Sequence, residues 1–290
     1  MQDKPGFTQS LWDMQSPWKR IRTEYSRKTL TKPSDKLAAF SGIASMVFKA
    51  LASSSDEYLA GIWKPNLLSE LLWERDGDQE APYDPELYIA PTWLWASLNG
   101  AFRDSGYIEM SLELNGLTRQ DQWHCEVLDA QVTPVADIFG PVKADNMTLK
   151  TWLCRIEIWS PKERTFRSIM RESDWNISAI NGVAASYSGM ISIDHPTPEI
   201  RRFSVLLSFY FVPVRSIYRE GQTCRISLEG LLLKRTGKRQ GQYYRDGLLR
   251  LLFQDEEGDK AFRQFQQSDS TESAHYLESL SGGVHAIEII

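Results

Sequence analysis

The marks of a metal centre, a disulfide scaffold or a membrane span are nearly all missing from this sequence. It has three cysteines, Cys125, Cys154 and Cys224, far apart and with no CxxC. An odd, widely spaced set indicates neither a zinc ribbon nor a disulfide framework. Each lies in an apolar, strand-like run and reads as a small buried hydrophobe, which fits a reducing compartment. The four histidines, His124, His195, His275 and His285, include no pair at i, i+2 or i, i+4 and no HExxH, so no metal ligand set is expected. GxSxG, the P-loop and GxGxxG are absent too. The first residues, MQDKPGFTQSLWDMQ, lack the charged-then-apolar pattern of a secretory leader. The longest apolar run, Phe203 to Val214, is interrupted by serines and falls short of the ~20 residues a membrane helix needs. A net charge of −5 removes the overall basic field typical of nucleic-acid binders. These absences lead to an expectation of a cytoplasmic protein with no metal, cofactor, nucleic acid or membrane partner.

What is present is ordinary globular material. The 290 residues are 42% apolar and 24% charged, enough for one large domain or two modest ones. Residues 1–75 read as helical. Ser16-Pro17 forms a start signal, followed by Trp18, Ile21 and Tyr25 at helical spacing. Pro33-Ser34 marks a second start, after which Leu37, Phe40, Ala44, Val47 and Leu51 share one helical face. The serine run Ser53 to Ser55 ends that helix. A short third helix is expected over Asp56–Trp63, and a fourth, capped by Asn66, burying Leu67, Leu71 and Leu72. The acidic, proline-containing RDGDQEAPYDPEL reads as an exposed loop, and Trp93 and Trp95 alternate with smaller residues as in an extended segment.

From about residue 105 the period becomes two. Residues 107–114, 123–132, 147–159 and 223–233 alternate, and residues 242–253 read as a further strand. Residues 203–214 form the more continuous apolar run of a central strand covered on both faces. A terminal helix is expected over 256–267. The fold class is therefore α+β, an N-terminal helical layer packed on an antiparallel β-sandwich or barrel-like domain. The divisions are 1–100 (helical, ending in the Trp93–Trp95 segment), 101–267 (β domain with terminal helix) and 268–290 (mobile tail).

Three segments in this order resemble one family. They are WKRIRTEYSRKTLTKPSDKLAAFSGIA at 18–44, DEYLAGIW with LLW at 56–63 and 71–73, and APTWLWAS at 90–97. Together they look like the block that follows the heterokaryon incompatibility domain in filamentous-fungal proteins. DIFGPV at 137–142 and GLLLKRTGKRQGQYYRDGL at 230–248 extend the likeness over roughly residues 11–253. The motif residues it singles out as structural are Trp18, Tyr25, Ser26, Arg27, Asp35, Leu37, Gly42, Tyr58, Gly61, Trp63, Trp73, Pro91, Trp93 and Trp95. Thr92 and Leu94 stand where the family usually has serine. Only 24 residues precede Tyr25, too few for the incompatibility domain, so none of that domain's chemistry is carried over.

The remaining constellations read as structural. Trp93 and Trp95 fill the joint between helical and β parts rather than stack a sugar or base. Asp35 caps the helix begun at Ser34 or pairs with Arg27. His124 and Cys125, adjacent on a strand, point to opposite faces and make a poor dyad. Asp194-His195-Pro196 is a turn. Glu109 and Glu113 lie on a solvated face. Lys234, Arg235, Lys238 and Arg239 sit on a solvated hairpin loop. No catalytic, cofactor or metal residue is assigned. The resulting reading is a non-enzymatic accessory or recognition module, as in fungal self/non-self recognition, with an unidentified protein partner. The alternatives are a truncated gene product without independent function and a hydrolase on the β domain.

Overall fold

The computed structural model describes residues 9–51, 57–76, 88–104, 119–143, 145–159, 175–196, 206–219, 225–254, 275–280 and 285–290. The chain forms two compact units, one of Met1–Asp104 with Ala130–Asn146, the other of Ser105–Asp129 with Met147–Ile290. The return of 130–146 to the first unit was not foreseen, because a linear reading of periodicity carries no information on which unit a loop rejoins.

In the first unit, α1 (Gln9–Ser26) contains Pro17 rather than starting at it. A proline inside a helix removes one backbone bond and crowds the preceding turn, which weakens that turn without forbidding it. The helix α2 (Lys36–Leu51) follows a 3-10 turn at Pro33–Asp35 and buries the expected face, Leu37, Phe40, Ala44, Val47 and Leu51, with Lys36 added. The expected third helix is instead a hairpin of β1 (Tyr58–Leu59) and β2 (Ile62–Trp63). Its two-residue turn, Ala60 and Gly61, has φ of 46° and 98°, the doubly positive geometry whose twist suits a tight hairpin. Asn66 makes no side-chain cap, and the fourth helix shrinks to α3 (Leu67–Glu70). Leu67, Leu71 and Leu72 are buried as expected. Trp73 opens β3 (Trp73–Arg75), paired antiparallel with β4 (Phe102–Asp104). Trp93 and Trp95 are fully buried but not extended, since Trp95 begins a 3-10 turn at Trp95–Ser97.

The second unit is built on an extensive, mostly antiparallel sheet. The expected run 123–132 divides into β5 (Arg119–Trp123) and β6 (Glu126–Ala130). The run 147–159 divides into β7 (Met147–Thr151) and β8 (Cys154–Trp159). Then come β9 (Trp175–Ile180), β10 (Val183–Ile193), β11 (Leu206–Arg219), β12 (Arg225–Arg235) and β13 (Gln242–Gln254). The sheet runs β10-β9-β8-β11-β12-β13-β15-β7-β6, where β15 is His285–Ile289, and β10 also pairs with β13. Alternate residues of six strands form one apolar core, including Ile156, Ile158, Ile177, Ile191, Phe209, Phe211, Leu228, Leu232, Leu249 and Leu251, as the period of two requires.

The tail reading is corrected. β14 (Glu278–Ser279) pairs with β15, which lies between β13 and β7 with Ile287 and Ile289 fully buried. Serine and glycine content masked the short HAIEI strand, whose place is set by strands distant in sequence. His275 is likewise buried, and His285 stacks on Tyr276 at 3.8 Å. The expected elements at 107–114 and 256–267, the acidic loop at 77–87, Ser53–Ser55 and Cys224 lie outside the described residues. Among those described, no helix is long and apolar enough to cross a membrane.

Candidate functional site

The first unit is organised around an aromatic core into which charges are drawn. Trp18 packs on Phe40 and Trp63 at centroid distances of 5.3 and 5.6 Å, and Trp95 on Phe40 and Phe102 at 5.4 and 5.3 Å. One turn of α1 beyond Trp18, Arg22 enters this core with no exposure at all. Its Nη1 lies 2.9 Å from Glu70 Oε2 and donates to the Gly61 carbonyl at 3.2 Å. Its Nη2 donates to both Asp104 oxygens at 3.2 and 3.3 Å. Trp18 Nε1 donates to the same Gly61 carbonyl at 3.1 Å. The hairpin turn is thus tied to α1 by an indole and a guanidinium together.

One guanidinium serves two buried carboxylates. The Arg22–Glu70 approach is an ion-pair contact without the two-pronged donation that Asp104 receives. Burial pushes the Glu70 carboxyl up to about 7. Asp104 pushes the same way, while Arg22, Lys19 and the Trp63 backbone oppose it. Lys36 is the complementary case. Its Nζ donates to the Leu98 carbonyl at 2.5 Å and lies 5.2 Å from the Trp95 ring centre, and burial pushes the amine down to about 7.

The second unit carries a different ionic cluster across four neighbouring strands, β5, β11, β12 and β13. Glu229 on β12 accepts from Arg215 Nη2 at 2.6 Å and from Arg250 Nε at 2.7 Å, while Arg215 also reaches Asp121 at 3.4 Å. Asp194 accepts from Arg245 Nε at 3.0 Å, so the Asp194-His195-Pro196 bend has a buried pairing role. Of the basic run, Lys238 and Arg239 are exposed on the turn as expected, but Lys234 and Arg235 end β12 instead of lying in the loop, and half-buried Lys234 pairs with Asp246 at 2.9 Å.

His124 does not face Cys125. Its Nε2 is 2.9 Å from Ser216 Oγ, and burial lowers the imidazole to about 4, so it is neutral at pH 7. Ser216 is fully buried, and burial pushes the Cys125 thiol up to about 12. Neither arrangement supplies an accessible nucleophile beside a base poised near neutrality.

Of the motif residues, Trp18, Ser26, Leu37, Tyr58, Trp63, Trp73, Pro91, Trp93 and Trp95 are buried in the first unit. Half-buried Tyr25 donates to the Lys36 carbonyl at 2.8 Å, and Ser26 accepts from the Phe102 N–H at 3.1 Å. Gly61 cannot carry a side chain without strain. Its φ is +98°, and a Cβ would fall 2.6 Å from Trp95 Nε1. The Arg27–Asp35 pairing is corrected: Arg27 pairs with Glu24 and Asp76, each at 2.9 Å, and Asp35 stays exposed in the turn before α2. Gly42 is exposed mid-helix, and a Cβ there would meet nothing within 4 Å. Gly42→Ala is therefore expected to raise stability by about 0.5–1 kcal/mol in urea unfolding. An unchanged midpoint would show that α2 does not need its intrinsic propensity.

Sequence reasoning missed Arg22, Glu70, Asp104 and Lys36. The one local signal was the step of four from Trp18 to Arg22 to Ser26, which puts a charge on the buried stripe of α1. Among the described residues, no group of three or more His, Cys, Asp or Glu is placed to hold a metal ion. Comparison of the chain with protein-family models, with curated proteins and with solved structures finds no match to any of them.

Proposed function

We propose that the chain is a non-enzymatic recognition module of the kind that follows the incompatibility domain in fungal heterokaryon incompatibility proteins, acting in the cytoplasm on a protein partner. The observation that carries this reading is the outward face of α2, inside the motif block. Ala39, Gly42, Ile43, Met46 and Ala50 share that face and are all exposed, Met46 at 73%. A contiguous apolar helix face on a domain whose inner face is already filled is the surface that partner recognition uses. The charged groups support the same reading, since Arg22, Arg215, Arg245 and Arg250 are engaged by buried carboxylates rather than presented to a substrate.

Affinity capture with wild type and with an Ile43→Glu/Met46→Glu variant tests it. Both positions face out, so thermal unfolding is expected to be nearly unchanged while a captured protein is lost. Equal capture by both would remove α2 from the reading. No saturable capture by wild type would favour the truncated-product alternative. The hydrolase alternative rests on the His124–Ser216 contact, and the burial of Ser216 with the low basicity of His124 weighs against it. For the β unit we favour the barrel-like form over the sandwich, because the pairing β8–β9–β10–β13–β12–β11 returns on β8.

A further inference from the structure

Within the buried part of the Arg22 centre two carboxylates, Glu70 and Asp104, meet one guanidinium, and the second cation, Lys19, is only half-buried. The Arg22 guanidinium divides four contacts among Glu70, Asp104 and the Gly61 carbonyl. Asp104 receives two N–H contacts from Arg22 Nη2, whereas Glu70 is met by Arg22 Nη1 at 2.9 Å and by the Trp63 backbone. Arg22 and Glu70 are both wholly shielded from water. Two buried carboxylates sharing one buried cation, with Lys19 screened by solvent, favour a retained proton on one of them. The proton belongs on the more deeply buried carboxyl, Glu70, which has no exposure where Asp104 keeps 5%.

We infer that Glu70 is a proton-holding switch: neutral Glu70 lets Arg22 clamp the β1–β2 turn and β4 onto α1, and ionisation of Glu70 loosens that clamp. The charged and titratable groups facing Glu70 are Lys19 and Arg22 from α1, Asp104 from β4 and Tyr58 from β1, with Asp137 acting on Tyr58. This does not depend on the identity of any partner. The carboxyl is raised from 4.5 to about 7 in the folded chain. Between those values the folded state binds more protons than the unfolded one. The contribution is therefore full below about pH 4.5 and is lost as pH rises towards 7. Each pH unit in that window lowers the folding constant of the unit about tenfold.

The direct test is the carbon-13 chemical shift of the Glu70 carboxyl against pH in the full chain, assigned by comparison with Glu70→Gln. A midpoint near neutrality is expected, with amide exchange around Gly61 speeding up above it and losing that pH dependence in Glu70→Gln. Asp104→Asn removes the competing charge and frees Arg22, so the Glu70 midpoint is expected to fall by at least one pH unit. A Glu70 carboxyl already ionised at pH 5 in wild type overturns the inference. So does a midpoint that does not move in folded Asp104→Asn.

Discussion

Arg22→Ala is expected to cost the first unit about 3–5 kcal/mol, because it removes the cation and leaves Glu70 and Asp104 buried against each other. The cost exceeds that of an ordinary ion pair, since side chains on the surface contribute about 0–1 kcal/mol. The Gly61 carbonyl would also lose one of its two side-chain donors, keeping only Trp18. Hydrogen exchange resolved by unit is the measurement that checks it. Protection should collapse over α1, β1–β2 and β4, while β11, β12 and β13 keep theirs. A companion variant, Arg22→Met with Glu70→Gln and Asp104→Asn, should recover much of the loss, because it removes the unpaired charge as well as the cation. Equal losses in both variants would mean that packing volume, not charge, dominates the site.

Glu229→Ala is the matching experiment in the second unit and is expected to cost about 3–5 kcal/mol by the converse route, leaving Arg215 and Arg250 short of their shared anion. Its pH behaviour should be opposite to that of Glu70. Burial alone would raise the Glu229 carboxyl, but Arg215 and Arg250, with the hydrogen bonds they donate, hold it below its ordinary value. A depressed carboxylate contributes stability that is present above the unfolded value of 4.5 and is lost as pH falls through the lower folded value. Acidification from pH 7 towards 4.5 should thus firm the first unit, while the second loosens, through His124 as pH falls from 6.5 towards 4 and through Glu229 below 4.5. Exchange rates in the two units measured along one pH series would reveal this divergence. Parallel pH responses would contradict it, and Glu229→Ala should remove the part of the acid limb below pH 4.5 in the second unit alone, leaving the His124 part.

The two ionic centres also mark where sequence reading stopped. Periodicity alone determined the buried face of α2, from Leu37 to Leu51, and the alternating cores of β8 and β12. It also placed Cys154 in an apolar strand. Those features are local: a residue's place on a face follows from its spacing to near neighbours. The hairpin at Tyr58–Trp63 was misread as helix because its four strand residues are all buried, which leaves no alternation to detect. The strand His285–Ile289 and the return of 130–146 to the first unit were equally invisible, because both depend on partners distant along the chain. The charge partners were undetermined for the same reason. Arg22 meets Asp104 across 82 positions and Glu229 reaches Arg250 across 21, distances at which spacing says nothing. Composition could establish that the chain has apolar faces to bury and too few cysteines or histidines to staple them. Only the tertiary structure decided which carboxylate each buried guanidinium would meet, because burial turns a charge that water would tolerate anywhere into one that needs a partner.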